Sequence, residues 1–214
     1  MIKLSKTGKM PCTSWSLQAV ETCPGSIGKD GQLVDACKGC YANEGAYLWP
    51  ATKNVRAHNK QDWKRDNFVS DFVIALKKQK YHRWFDSGDL YSVELAEKIY
   101  QIMLETPWVK HWIPTRSYKF SKFADVLSRM KALPNVSVRF SSDSVMGDYV
   151  AGVHGSTIVS DESQINSEMS VCNAPNQDGK CLDCRACWNK DIPVIAYVSH
   201  GKAIRKVIQL RKAA

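Results

Sequence analysis

From residue 81 onward the chain alternates short apolar segments with longer amphipathic ones, and this rhythm restricts it to a small group of folds. "HRWFDSGD" reads as a short aromatic strand ending in turn residues. In "SVELAEKIYQIMLET", Ser92 is placed to cap a helix whose apolar stripe is Leu95, Ile99, Ile102 and Met103. "VKHWIPT" repeats the strand signal, and "KFSKFADVLSRMKAL" the helical one through Phe120, Phe123, Val126, Leu127 and Met130. "NVSVRFSSDS" has period-two character, with Asn135 behind Pro134 marking the turn into it. "STIVSD" and "PVIAYVSHG" are two further strands, and "KAIRKVIQLRK" is a closing basic amphipathic helix. Upstream, residues 53–79 place Val55, Phe68, Phe72 and Leu76 on one face of a single long basic helix.

Short strands separated by helices of roughly twelve residues or more require right-handed crossovers, and therefore a parallel sheet. The expected fold is α/β: a partial or compact (β/α) barrel of about six parallel strands, TIM-barrel-like, with a C-terminal cysteine-rich loop. Residues 1–214 read as a single domain. It comprises an N-terminal cysteine loop over 12–42, a βα core over 43–170, a cluster loop over 171–190, and a closing strand and helix over 191–214.

In a fold of this kind functional groups collect where strands end. The polar strand ends are Asp86, Ser87, Gly88 and Asp89; Thr115 and Arg116; Ser141, Ser142 and Asp143; Ser160 and Asp161; and Ser199 and His200. Any one of these is an ordinary turn or cap residue, whereas five strands ending in this way predict a shared pocket.

No apolar run approaches the roughly 18 residues of a membrane span, so the expectation is a soluble protein of the cytoplasm, a host cell's cytoplasm if phage-encoded. In a reducing compartment the eight cysteines are better explained by metal than by disulfides. The formal charge of +9 favours a polyanionic partner such as nucleic acid, although metal-bound thiolates would offset part of it.

The cysteines form two sets. "CNAPNQDGKCLDCRACW" has the spacing Cys-x8-Cys-x2-Cys-x2-Cys over Cys172, Cys181, Cys184 and Cys187, which lets a short loop wrap one metal centre. Four soft thiols without histidine suit zinc or an iron–sulfur cluster, and the tight run resembles ferredoxin ligands more than zinc knuckles. The first set is Cys12, Cys23, Cys37 and Cys40, the last two in "CKGCYA". It is consistent with a redox dithiol, with a four-thiol zinc site, or with a [4Fe–4S] cluster on Cys23, Cys37 and Cys40 that leaves one iron open and Cys12 spare.

The stretches "CPGSIGKDGQLVDACKGCYANEGAYLWPATKNVRAHN", "RWFDSGDLYS", "WIPTRSY", "SSDS" and "KCLDCRACW" together resemble the phage-associated gene product 88 family, over roughly residues 12–200. That family in turn resembles compact radical S-adenosylmethionine (SAM) proteins. The resemblance implies a first strand at about "SWSLQAV", a [4Fe–4S] cluster on Cys23, Cys37 and Cys40, and Tyr41 as the neighbouring aromatic. It also implies Ser87, Gly88 and Asp89 at the methionyl amine of SAM, Thr115 and Arg116 at its carboxylate, and Ser142 and Asp143 at its ribose. Cys172, Cys181, Cys184 and Cys187 match an auxiliary cluster. Two departures stand out: thirteen residues separate Cys23 from Cys37 where three are usual, and one glycine, Gly88, precedes the acid where two are usual.

On this reading the protein is an iron–sulfur enzyme that acts on a small-molecule or nucleic-acid substrate and is fed by an electron donor, with Tyr149, His154 or His200 as substrate-facing groups. The competing class is a metal-stabilised nucleic-acid-binding or redox module, whose basic faces span 53–80 and 202–212, with Lys64 and Arg65 as its phosphate contacts.

Overall fold

The computed structural model describes residues 1–213. Eight strands form one sheet: β1 (Ser5–Lys6), β2 (Thr13–Trp15), β3 (Tyr81–Trp84), β4 (Lys110–Thr115), β5 (Val136–Ser141), β6 (Gly155–Val159), β7 (Met169–Val171) and β8 (Val194–Val198). Their order is β1-β2-β3-β4-β5-β6-β8-β7, and every pairing is parallel except that of β1 with β2. Helices α1 (Asp35–Lys38), α2 (Pro50–Asp62), α3 (Phe68–Leu76), α4 (Val93–Glu105), α5 (Ala124–Ala132) and α6 (Lys202–Lys212) complete the chain.

The parallel α/β alternation is as predicted; the barrel is not. The sheet is open, with the two-residue β1 at one edge and the three-residue β7 at the other. The strand–helix rhythm stops after β5, because residues 142–154 and 160–168 connect the next strands without an α-helix. Edges this short cannot supply the staggered ladder that closes a barrel.

Two further expectations are corrected. The predicted helix over 53–79 is two helices, broken where Trp63 turns into the core and Arg65 fastens the turn, its Nε donating to Asp62 Oδ1 at 2.8 Å and its Nη1 to Asp71 Oδ2 at 2.5 Å. Val55 does not lead the buried face of α2; Arg56 and Asn59 do, with Asn59 Nδ2 donating to Ser16 O at 3.0 Å. The first parallel strand, β2, is Thr13–Trp15 rather than the longer "SWSLQAV", and Val20 beyond it lies in the left-handed region at φ 66°.

One face of the sheet carries the hydrophobic core. Trp15 sits at its centre, edge-on to Phe68, Phe72 and Trp84, and Phe72 stacks on Trp84 at 4.9 Å. Each such aromatic removes enough surface from water to contribute on the order of 5 kcal/mol before entropy is counted. The stripe of α4 closes over them, and Ser92 caps it as predicted, accepting from Leu95 N at 3.4 Å.

Beneath this core, Thr13, His82, His111 and Val136 form one row across β2 to β5. Trp84 Nε1 donates to His111 Nδ1 at 3.2 Å, so the ring proton is on Nε2, which donates to Thr106 Oγ1 at 2.8 Å; that hydroxyl donates to Ile102 O at 2.6 Å. Burial pushes the pKa of His111 down to about 3, and burial with the neighbouring His111 pushes His82 well below its usual value. Both histidines are therefore neutral in the folded chain, while the unfolded chain protonates near 6.5. The unfolded state gains protons first, so stability is full above pH 6.5 and falls as pH drops toward the folded values. Urea unfolding should lose about 1.4 kcal/mol per pH unit per histidine below pH 6. His111→Gln should reduce that slope by about half.

Candidate functional site

The carboxyl ends of the parallel strands gather the polar residues that the sequence singled out. Asp89 Oδ1 accepts from Thr115 Oγ1 at 2.6 Å and from Leu90 N at 2.7 Å, and its Oδ2 accepts from Arg116 N at 2.7 Å. Arg116 Nη2 donates to Ser142 O at 2.5 Å, and Lys119 Nζ reaches both Asp143 and Gly25 O, the latter at 3.0 Å. Ser87 Oγ donates to Leu17 O at 2.6 Å, and Ser142 Oγ accepts from Ser144 N at 3.0 Å. These side chains converge, but their polar atoms largely knit strand ends together. Both oxygens of Asp89 are engaged, which argues against its predicted role at a cofactor amine. Gly88 has a packing reason as well as a conformational one: at φ 82°, an added Cβ would lie 2.6 Å from Leu17 Cβ.

The first cysteines lie on this rim. The thirteen residues between Cys23 and Cys37 make a small hairpin, with Ile27 bridged antiparallel to Leu33 and Gly28 N donating to Gln32 O at 2.7 Å. The chain then returns to where it left: Val34 N donates to Ser26 O at 2.9 Å, and Ser26 N to Cys23 O at 2.9 Å. The long gap thus places Cys37 back beside Cys23. Two glycines permit the close approach. A Cβ on Gly25 would strike Arg116 Cβ at 2.5 Å, and one on Gly39 would strike the backbone of Ile204 in α6 at 2.7 Å. Cys40 N donates to Cys37 O at 3.2 Å. Burial raises the thiol of Cys23 to about 12, with Asp89 and the other two cysteines adding to the rise, and burial raises Cys37 as well. A buried, neutral Cys37 is the opposite of a thioredoxin-type nucleophile, which argues against the redox-dithiol reading of "CKGC".

Tyr41 hangs between the rim and the second face of the sheet. Its hydroxyl donates to Asp86 O at 2.6 Å and accepts from Arg83 Nη2 at 3.2 Å. Arg83 lies over the Trp112 ring at 4.6 Å, and its Nη1 is 3.0 Å from Asp86 Oδ1, close but misaligned for a hydrogen bond. Arg116 Nε and Asp143 Oδ1 are related in the same way at 3.2 Å. Arg83 Nε, Asp86 Oδ1, Arg116 Nε and Asp143 Oδ1 therefore lie buried without an aligned hydrogen bond, the last two beside Cys37. Buried polar atoms are seldom left unpaired without a functional reason.

The second cysteine set covers the sheet face opposite the aromatic core. Trp188 packs edge-on against Tyr81 and Trp112, each at 5.4 Å, and its Nε1 donates to His82 O at 3.0 Å. Cys172 N donates to Ala196 O at 2.8 Å, and Cys187 Sγ lies 3.7 Å from Tyr197 Oη. What fixes this loop is Arg139 on β5, which is fully buried. Its Nε donates to Cys187 O at 3.0 Å, its Nη2 to Asn189 O at 2.6 Å and Ala186 O at 3.1 Å, and its Nη1 to Ile192 O at 3.0 Å, Pro193 O at 3.3 Å and Gly155 O at 3.4 Å.

Cys12 belongs with this second set, not with the first. It packs with Met10, Trp188, Cys181 and Cys187, and Cys181 N donates to Lys9 O at 2.8 Å. The four-thiol site of Cys12 with Cys23, Cys37 and Cys40 does not match this arrangement. Burial raises Cys12 to about 12 and Cys187 to about 11. All eight cysteines are free thiols, and among the described residues no three His, Cys, Asp or Glu are arranged to hold a metal ion.

The remaining expectations fare unevenly. Tyr149 and His154 line a recess at the opposite, amino end of the sheet, and the His200 ring lies 3.0 Å from Val198 O. Of the predicted phosphate contacts, Arg65 is held by Asp62 and Asp71, and Lys64 Nζ donates to Gln61. Among the described residues no helix is long and apolar enough to cross a membrane. The sequence reading passed over Arg83 and Arg139, although each stands inside a strand pattern between apolar neighbours, where a solvated arginine has no place.

Fold and site together define an open parallel α/β protein with three thiols on its strand-end rim and five across one sheet face. Residues 2–196 match the model of the gene product 88 family, and the chain belongs to that family. No curated protein and no solved structure matches the chain, and nothing in these comparisons extends the kinship to the radical SAM proteins.

Arg139→Met leaves six carbonyls without their shared donor and should cost at least about 3 kcal/mol in urea unfolding. Arg139→Lys, which keeps the charge but loses the fork, should recover only part of that. Cys187 should react faster with a thiol reagent in both variants.

Proposed function

We propose that the protein is an iron–sulfur protein with one [4Fe–4S] cluster at each thiol group. Cys23, Cys37 and Cys40 would hold the first. Cys172, Cys181, Cys184 and Cys187 would hold the second, with Cys12 beside it. The observation that carries this reading is that Cys12, Cys181 and Cys187 pack together on one sheet face while the hairpin of the first set returns Cys37 toward Cys23 on the rim. The donor chemistry fits, since thiols without histidine are the ligands of such clusters. The surroundings fit as well. Arg83 Nε, Trp112 Nε1 and Ser137 Oγ are buried donors without partners, in one row across β3, β4 and β5 on the face that the cysteine loop covers. Cluster sulfurs accept hydrogen bonds of this kind. A cluster places several irons between its ligands, so its thiols stand farther apart than those around one ion.

A bound cluster supplies single-electron chemistry. The first group has three thiols, one fewer than a cluster has irons, and the Arg116–Asp143 and Arg83–Asp86 ion pairs nearby supply both signs of charge to a further ligand there. S-adenosylmethionine, whose carboxylate and ammonium complement that mixture of charges, is the ligand to test first.

Anaerobically purified protein should be brown and contain about eight irons and eight sulfides, the sum of two four-iron clusters. Colourless protein with stoichiometric zinc would overturn the reading. Cys37→Ser should remove half of the iron and leave the rest. If SAM neither alters the electron paramagnetic resonance signal of the reduced protein nor yields 5′-deoxyadenosine, the cluster assignment stands and the SAM assignment falls.

A further inference from the structure

We propose that the recess left by the missing helix over β5, β6 and β8 binds a compact organic anion: an aliphatic or aromatic carboxylate or sulfonate. It lies at the amino end of the sheet, and no cysteine lines it. A full βα unit would lay a helix over the sheet here, but residues 142–154 cross as a loop, and a cavity of about 380 Å³ remains. This is within the size range of small-molecule sites.

Its floor is apolar. Val136 and Val138 of β5 and Val194 of β8 are buried and line it, with Pro193 and Val153 as walls. Its polar groups are unbalanced toward positive charge. Lys131, at the end of α5, has its Nζ 4.0 Å from the centroid of the Phe140 ring and pairs with no carboxylate among the described residues. Lys190 Nζ donates to Lys131 O at 2.8 Å and Leu133 O at 2.9 Å, leaving one of its three N–H groups for a ligand. Against these two cations stands Glu168, which accepts from Tyr149 Oη at 2.6 Å. His154, whose pKa burial lowers, adds no charge at neutral pH. The nearby Arg139 has its donors committed to carbonyls. A half-desolvated lysine without a counter-ion gains from an anion, and the valine floor gains from an apolar body attached to it.

The probe is 8-anilinonaphthalene-1-sulfonate, which joins a sulfonate to an aromatic body, titrated into the purified full chain. One saturable site should appear, displaced by octanoate. Lys131→Met, which keeps the stem and removes the charge, should bind at least tenfold more weakly. Val153→Trp, which fills the recess from its partly exposed rim, should do the same, and both variants should keep the wild-type far-ultraviolet circular dichroism and urea-unfolding midpoint. Wild-type affinity in both variants would overturn the assignment by placing the dye elsewhere. Displacement by inorganic phosphate as effective as that by octanoate would overturn the amphiphile class.

Discussion

A guanidinium buried without a carboxylate holds the unusual half of this molecule together. Removing an arginine from water costs several kcal/mol, and in most interiors an acid offsets part of that. Arg139 has six backbone carbonyls instead, drawn from residues 155, 186, 187, 189, 192 and 193. Five of those carbonyls belong to a loop with little regular structure and the sixth opens β6; among the described residues only Ala186 O and Pro193 O also accept a loop or turn N–H, from Asn189 and Gly155. The cost of burying the charge and the cost of burying the loop offset each other. The strand supplies the cation, and the loop can then lie flat on the sheet.

The need for such a loop follows from the open sheet. In a closed barrel the inward face is filled by side chains from the facing strands. Here no strand faces β3 and β4, so the second face of the sheet must be covered by something else. The segment around Trp188 does this, and it must reach back to residues 9–12 at the other end of the chain to do so. That is why Cys12 meets Cys181 across 169 positions of sequence. A thiol group that includes both termini of the fold also staples them, and a metal bound there would stabilise the sheet as a whole.

The sequence was legible where periodicity decides structure, and less so where a single polar contact does. The segments of α4, α5, β5, β8 and α6 carry clean apolar periods, and the structure follows them. The break at Trp63 is invisible to a period-counting argument, because the apolar spacing continues through Phe68, Phe72 and Leu76 while Asp62, Arg65 and Asp71 set the turn. The barrel was over-read for a related reason. Residues 142–154 hold no helical period, so the βα repeat ends at β5, and the short edge strands β1 and β7 leave the sheet open. Cys12 was misgrouped because neighbours in sequence stood in for neighbours in space. The polar strand ends were legible as a set, since strand termini in a parallel sheet share one rim. Their individual hydrogen bonds were not, and those bonds show Asp89 to be a clamp.

The glycines sharpen the distinction between a rim built to fold and a rim built to bind. Gly25 and Gly39 exist for close packing, one against Arg116 and the other against α6, so the cysteine hairpin is pressed onto the strand ends from two sides. A loop held only for stability would be expected to satisfy the polar groups it covers. This one is held firmly, and beneath it Arg116 Nε and Asp143 Oδ1 face each other as an ion pair without an aligned hydrogen bond, in a region where Asp89 has both oxygens engaged. Tight backbone packing beside charged side chains that meet without aligned hydrogen bonds is what separates the two kinds of rim, since the backbone is fixed while those side chains keep bonding capacity in reserve.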